Sequence, residues 1–205
     1  MSRIDYYDNK AQYGPDIASY PVKIKIANST QDEMRIENVG SGLTYPQTLY
    51  FGLYDYDDQI VALENSYQIL ISAVDAQVSS IDGFNAVLLD QGIARFDNMA
   101  FTASPGSSNI SYKATSKAID TNKIQNVFEQ SISENNINVN FRFCKPGEIM
   151  SNNKCLECSA GTYSLGWNST ECKSCVDNAV CNGKEQIQVD PKHWRRTTNS
   201  TKIVK

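Results

Sequence analysis

The sequence predicts an all-β chain: an antiparallel β-sandwich over residues 20–143, then a small cysteine-rich module over 144–205, with a polar, extended lead-in over 1–19. Three observations predict it. Short apolar/polar alternations recur between turn signals from Tyr20 to Phe143, with no convincing amphipathic helix. All six cysteines fall between Cys144 and Cys181. After Cys144 the large apolar side chains thin out, and a segment of roughly 60 residues with so few of them needs covalent or metallic staples to hold a fold.

Composition bounds the rest. The chain has 205 residues, 20 % of them charged and 40 % hydrophobic, which is a globular balance. Its net charge is −4. A mildly acidic chain lacks the basic surface that captures phosphate backbones, so no nucleic-acid partner is expected. No apolar run reaches the length of a membrane span. The start, Met-Ser-Arg-Ile-Asp-Tyr-Tyr, has no basic-then-apolar signal pattern. That start fits either a cytosolic protein or a piece of a larger processed one.

In order, Val22, Ile24 and Ile26 share one face against Lys23 and Lys25, a half-buried strand. Met34 and Ile36 repeat the pattern, and Asn38-Val39-Gly40-Ser41-Gly42 is a turn. Leu49, Phe51 and Leu53 form an inward row opposite Tyr50 and Tyr54. Asp55-Tyr56-Asp57-Asp58 breaks that strand. Ile69, Ile71 and Ala73 make another, Asp82-Gly83 a turn, Val87–Leu89 a short buried strand, and Gly92 opens a strand running through Phe96 to Phe101. After the Ser104-Pro105-Gly106 turn, Ile110, Tyr112 and Ala114 point inward. Residues 117–134 carry the weakest pattern, with Val127 and Phe128 anchoring a loop or one helical turn. Ile137, Val139, Phe141 and Phe143 then alternate with Asn136, Asn138, Asn140 and Arg142 up to Cys144. Seven or eight such strands, with no cysteine among them, fit an immunoglobulin-like sandwich without an internal disulfide.

The cysteines allow two chemistries. Cys155-x-x-Cys158 and Cys172-x-x-Cys175 are spaced like the knuckles of a zinc ribbon. Against that, Cys144 and Cys181 would be idle, the total is even, and the spacer lacks the basic residues of a nucleic-acid-binding ribbon. Disulfides are therefore favoured over zinc; a disulfide closing a loop of about 10–15 residues contributes on the order of 3 kcal/mol. Four Asn-x-Ser/Thr sequons, at Asn28, Asn109, Asn168 and Asn199, could carry N-linked glycan if the compartment is right.

Cys144-Lys-Pro-Gly, Cys155-x-x-Cys158-Ser-Ala-Gly-Thr-Tyr-Ser and Cys172-x-x-Cys175 together resemble the ephrin-receptor-like cysteine-rich repeat, a relative of EGF-like and TNF-receptor-like modules. The continuation, Cys181-Asn-Gly-Lys and then His193-Trp194-Arg195-Arg196, is similar to the version in large surface proteins of ciliates. There a further cysteine follows the Trp-Arg pair, and this chain reaches Lys205 without one, which points to a longer parent protein. Gly52-Leu53-Tyr54-Asp55 and Pro105-Gly106 look like immunoglobulin-like repeats of extracellular proteins. The resemblance implies a non-enzymatic, extracellular or cell-surface ectodomain. It also implies sequential pairing: Cys144 with Cys155, Cys158 with Cys172, and Cys175 with Cys181.

Other chemistry is sparse. His193 is the sole histidine, and no Ser/His/Asp or Cys/His set forms around it. Asp55, Asp57 and Asp58 at a strand end are weak calcium candidates, or a solvated turn. Trp194 with Arg195 and Arg196 is a candidate contact site, although packing of Trp194 on the module is the simpler expectation. Tyr6, Tyr7 and Tyr13 in the lead-in suit an intermolecular contact. The leading expectation is a structural or adhesion segment touching other copies of itself, other surface proteins or glycan, in a surface filament or coat. The alternatives are a receptor ectodomain for a soluble ligand or glycan, and an intracellular zinc-dependent interaction module. No cofactor is expected beyond N-linked glycans.

Overall fold

The computed structural model describes residues 11–14, 17–27, 34–122, 124 and 135–205. It is all-β, with helical backbone among the described residues only at 121, 122 and 124. Among the described residues, ten strands precede the first cysteine: β1 (Lys23–Ile26), β2 (Met34–Val39), β3 (Leu49–Tyr54), β4 (Gln68–Ala73), β5 (Ser79–Asp82), β6 (Ala86–Leu88), β7 (Ile93–Phe96), β8 (Ala100–Ala103), β9 (Ile110–Ser116) and β10 (Asn135–Phe141). One sheet has the order β1-β3-β7, a second β2-β10-β9-β4-β6, and β5 pairs with β8.

The period-two alternation explains how the two sheets share one core. Ile24, Phe51, Leu53 and Phe96 of the first sheet cluster with Ile69, Ile71, Tyr112, Ile137 and Val139 of the second. β8 adds Phe101, whose ring meets Tyr112 edge-on at 5.0 Å and Tyr45 at 6.0 Å. The Tyr112 hydroxyl donates to the Thr102 carbonyl at 3.0 Å, so the most buried tyrosine leaves no polar atom unpaired.

Several expectations shift. Among the described residues, all paired strands are antiparallel except β2 and β10, which run parallel. A parallel pair needs a connection across the molecule rather than a hairpin. Here it joins an early strand to the last strand of the domain. The strand expected from Gly92 to Phe101 is two, β7 and β8, because Asp97-Asn98-Met99 turns between them with Asn98 at φ 57°. Residues 79–82, where no strand was expected and a turn only at Asp82-Gly83, form β5 against β8. Leu88, expected buried, is 62 % exposed because it sits beside Gln68 on the outer face of the sheet, opposite the face that Val87 and Ile69 turn to the core. Phe143, expected inward, is 54 % exposed because β10 ends at Phe141 and the ring lies over Gly106. Val127 and Phe128 lie outside the described residues.

The module that follows is a run of short hairpins: β11 (Glu148–Ser151) with β12 (Lys154–Glu157), β13 (Thr162–Tyr163) with β14 (Lys173–Ser174), β15 (Ala179–Cys181) with β16 (Ile187–Val189), and β17 (Trp194–Arg195) with β18 (Ile203–Val204). The abundance of asparagine has a local cause here. Asn152 and Asn153, both left-handed, are the two-residue turn of the first hairpin. Of the eleven non-glycine residues with positive φ among the described residues, seven are asparagine, the residue that best tolerates that region after glycine.

Candidate functional site: the joint between the domain and the module

Three disulfides hold the module: Cys144–Cys155, Cys158–Cys172 and Cys175–Cys181. These are the partners that the resemblance implied, and no cysteine is free. With all six sulfurs bonded, no thiolate remains for the zinc alternative. Backbone hydrogen bonds tie the hairpins together, from Gly147 N–H to the Ser164 carbonyl, from Lys184 N–H to Cys158, and from Gly161 N–H to Cys181. Little apolar material is involved beyond Tyr163, Cys181 and Ile187.

The joint is built where β10 passes into Cys144. The Arg142 guanidinium donates two bonds to Glu148, Nη1 to Oε2 at 2.8 Å and Nη2 to Oε1 at 2.9 Å. This is the bidentate fork that gives Arg–carboxylate pairs both strength and fixed orientation. Lys145 N–H donates to the same carboxylate at 3.1 Å. The Glu148 side chain is 2 % exposed. Burial would push its carboxyl up, but the Arg142 hydrogen bonds, the Lys145 N–H and the two cationic charges outweigh that and hold it below the usual glutamate value.

A second contact seals the opposite side. The loop Gly40-Ser41-Gly42 sits under the first hairpin of the module. Cys155 N–H donates to the Ser41 carbonyl at 2.8 Å. The buried Ser41 hydroxyl accepts from Ala103 N–H at 3.0 Å and has the carbonyls of Ala103 (2.6 Å) and Asn153 (2.5 Å) in reach. Its one proton serves either carbonyl in turn. A Cβ on Gly40 would stand 2.7 Å from Arg142 Nη2, and one on Gly42 2.6 Å from Lys154 Cγ. Gly42, at φ 72°, is held as glycine both by its left-handed backbone and by the Lys154 stem of the module lying on it. Lys154 closes the rim with an ion pair to Asp82 at 2.6 Å.

Sequence reasoning found the cysteines but missed this joint. The 38–42 segment reads as an ordinary turn, and only the two glycines flanking a serine hint at close approach. Cys144, Glu148 and Cys155 do bring metal-type ligand atoms within 4.8 Å of one another. The two sulfurs are bonded to each other and the carboxylate to Arg142, so the cluster is a structural knot.

The other candidates are dispersed. Asp55 is fully buried, its Oδ1 accepting the N–H groups of Asp57 and Gln59 at 3.0 and 2.9 Å, so it shapes the loop after β3. Asp58 pairs with Lys23 and Lys25, each at 2.7 Å, and those bonds hold its carboxyl below the usual aspartate value. With Asp55 and Asp58 engaged elsewhere, the carboxylates do not converge as calcium ligands. Tyr13 is half-buried against the domain core, with its hydroxyl donating to the Ser19 carbonyl, so it straps the chain instead of offering a contact. Tyr6, Tyr7 and the sequon at Asn28 lie outside the described residues. Asn109 and Asn199 are exposed, whereas Asn168 is half-buried with its Oδ1 shielded and without a hydrogen-bond partner. Trp194 is 57 % exposed instead of packed, because its two-residue strand faces only Val204 across the hairpin. Arg195 is half-buried beside it, Arg196 is exposed, and His193 Nδ1 lies 3.2 Å from the Pro191 carbonyl.

No helix among the described residues is long and apolar enough to cross a membrane. Comparison with protein-family models, curated proteins and solved structures gives no match.

Proposed function

We propose that this chain is a non-enzymatic structural or adhesion segment of an extracellular or cell-surface protein, acting through rigid, stapled modules that contact neighbouring copies or other surface proteins. The observation that carries the reading is the joint. A buried bidentate ion pair next to the Cys144–Cys155 bond fixes the orientation of one module on the other, as a mechanical element requires and a flexible linker would not. Three disulfides add the usual equipment of proteins in oxidising compartments. The parallel β2–β10 pair and the two facing sheets support the immunoglobulin-like reading of the domain. The hairpin run with sequential pairing supports an ephrin-receptor-like module. Exposed Asn109 and Asn199 would carry glycan in that compartment.

The test is an intact mass of the natural protein with thiols alkylated before and after reduction. The expected result is no reactive thiol before reduction and six after, with added glycan mass. Four or more thiols reacting without reduction would place the protein in a reducing compartment and overturn the reading.

A further inference from the structure

We propose that β6 is a docking edge for a second copy of this chain, joined by antiparallel β6-to-β6 pairing across a two-fold axis. The inference rests on the reading that the chain works through contacts with other copies.

The backbone makes the first argument. β6 pairs with β4 on one side only and ends the five-stranded sheet. Ile71 N–H donates to the Asn85 carbonyl at 2.8 Å and Leu89 N–H to the Tyr67 carbonyl at 3.0 Å. The alternation of an antiparallel ladder therefore turns the N–H and C=O of Ala86 and Leu88 away from β4. They face a groove of about 480 Å³ between β6 and β7. Setting Ala86 opposite Leu88 of a second copy, and Leu88 opposite its Ala86, exchanges four backbone hydrogen bonds with no residue left over.

The side chains make the second. Proteins commonly protect sheet edges with charge, proline or bulges. The other edges of the two sheets follow that rule. β2 carries Arg35 and Glu37, β1 carries Lys23 and Lys25, and β7 carries Arg95. β6 and its approach carry none of these and display Phe84, 75 % exposed, and Leu88, 62 % exposed. The charges on the groove's far wall, Arg95 and Asp97, already pair with each other at 3.0 Å. A second copy thus meets no uncompensated like charge across the axis.

Size sets the strength. Three residues of strand and a few apolar side chains fall short of the roughly 800 Å² per partner of a standard interface. Pairing is therefore weak for the free chain and grows where copies are held side by side, as avidity requires.

The experiment is sedimentation equilibrium over a wide concentration range, with amide exchange followed at Ala86 and Leu88. The wild type should associate reversibly, and those two amides should gain protection as concentration rises. Leu88→Lys restores an edge charge. Ala86→Pro removes an outward N–H that the β4 ladder does not use. Both should weaken association roughly tenfold or more while leaving the fold's exchange pattern unchanged. Association that persists in both variants would overturn this edge but leave the contact-between-copies function standing through another face. A wild type that stays monomeric with unprotected edge amides would overturn the pairing, and its thiol state would still test the compartment separately. A monomer whose edge amides are protected only by an added alternating apolar peptide would assign the edge to a foreign strand and overturn the second copy.

Discussion

The domain over β1–β10 and the module over β11–β18 are both β-structure, yet different forces hold them. Among the described residues, the domain gathers twenty buried hydrophobic residues into one cluster, while the module's cluster has three, one of them a disulfide cysteine. At about 25 cal/mol per Å² of apolar surface, the first can offset the entropy of folding and the second cannot. Cross-links closing loops of 11, 14 and 6 residues restrict the unfolded module instead. The difference teaches how much sheet can be built without a core, provided that covalent bonds replace it.

Reduction should break the comparison most sharply. Each bond contributes about 2–3 kcal/mol by loop closure. Losing all three should melt residues 144–205, while the domain keeps its protected core amides. Hydrogen exchange with and without reductant measures this directly. Simultaneous loss of protection in both parts would mean that the domain depends on the module for its stability.

The reverse experiment removes core material from the domain. Phe101 is fully buried and packs edge-on against Tyr112 and Tyr45. Phe101→Ala should cost roughly 3–5 kcal/mol, from lost transfer energy and the cavity left behind. Denaturant unfolding should show an earlier domain transition, with all six thiols still unreactive to alkylation.

The joint comes next. Glu148→Gln leaves Arg142 half-paired in a mostly buried site, a loss of about 3 kcal/mol for a broken buried pair. The same residue sets a pH dependence. Its folded carboxyl titrates below the unfolded value of about 4.3, so its contribution is fully present above that value and is lost as pH falls through the folded one. Acid titration of the wild type should therefore loosen the joint, seen as exchange at the Cys155 amide. Glu148→Gln should flatten that response, and a variant with an unchanged acid profile would remove Glu148 from the account.

How much of this was legible follows the same division of forces. The core rows of β3, β4, β9 and β10 could be read because period-two alternation is a local consequence of burying one face of a strand. Leu88 was misread because a short unbroken apolar run does not say which of its faces is inward, and Phe143 because the alternation continues past the end of β10. β5 went unseen because Ser79-Ser80-Ile81-Asp82 has almost no apolar signal and owes its strand geometry to β8. The cysteine pattern carried the module, since staples are written in residue type. The joint was not legible. Ser41, Arg142, Glu148 and Asn153 are ordinary polar residues, and only the fold brings the Ser41 carbonyl to the Cys155 amide. Trp194 shows the opposite error, a large side chain assumed to be packing material that the short β17–β18 hairpin leaves exposed.

The smallest effect tests whether the rim of the joint matters at all. Lys154 and Asp82 meet at 2.6 Å, but their side chains are 38 % and 50 % exposed. Water competes for both charges, and the long lysine chain gives up conformational freedom to hold the pair. Lys154→Ala should therefore cost at most about 1 kcal/mol, and less as salt rises. The stem of Lys154 also lies over Gly42, so part of any loss would be packing, which salt does not screen. Comparing Lys154→Ala with Lys154→Met at low and high salt separates the two. Equal losses would put the cost in the charge, whereas a methionine variant near wild type would put it in the covered glycine backbone. A loss as large as that of Glu148→Gln would mean that the rim, and not the buried fork, orients the module on the domain.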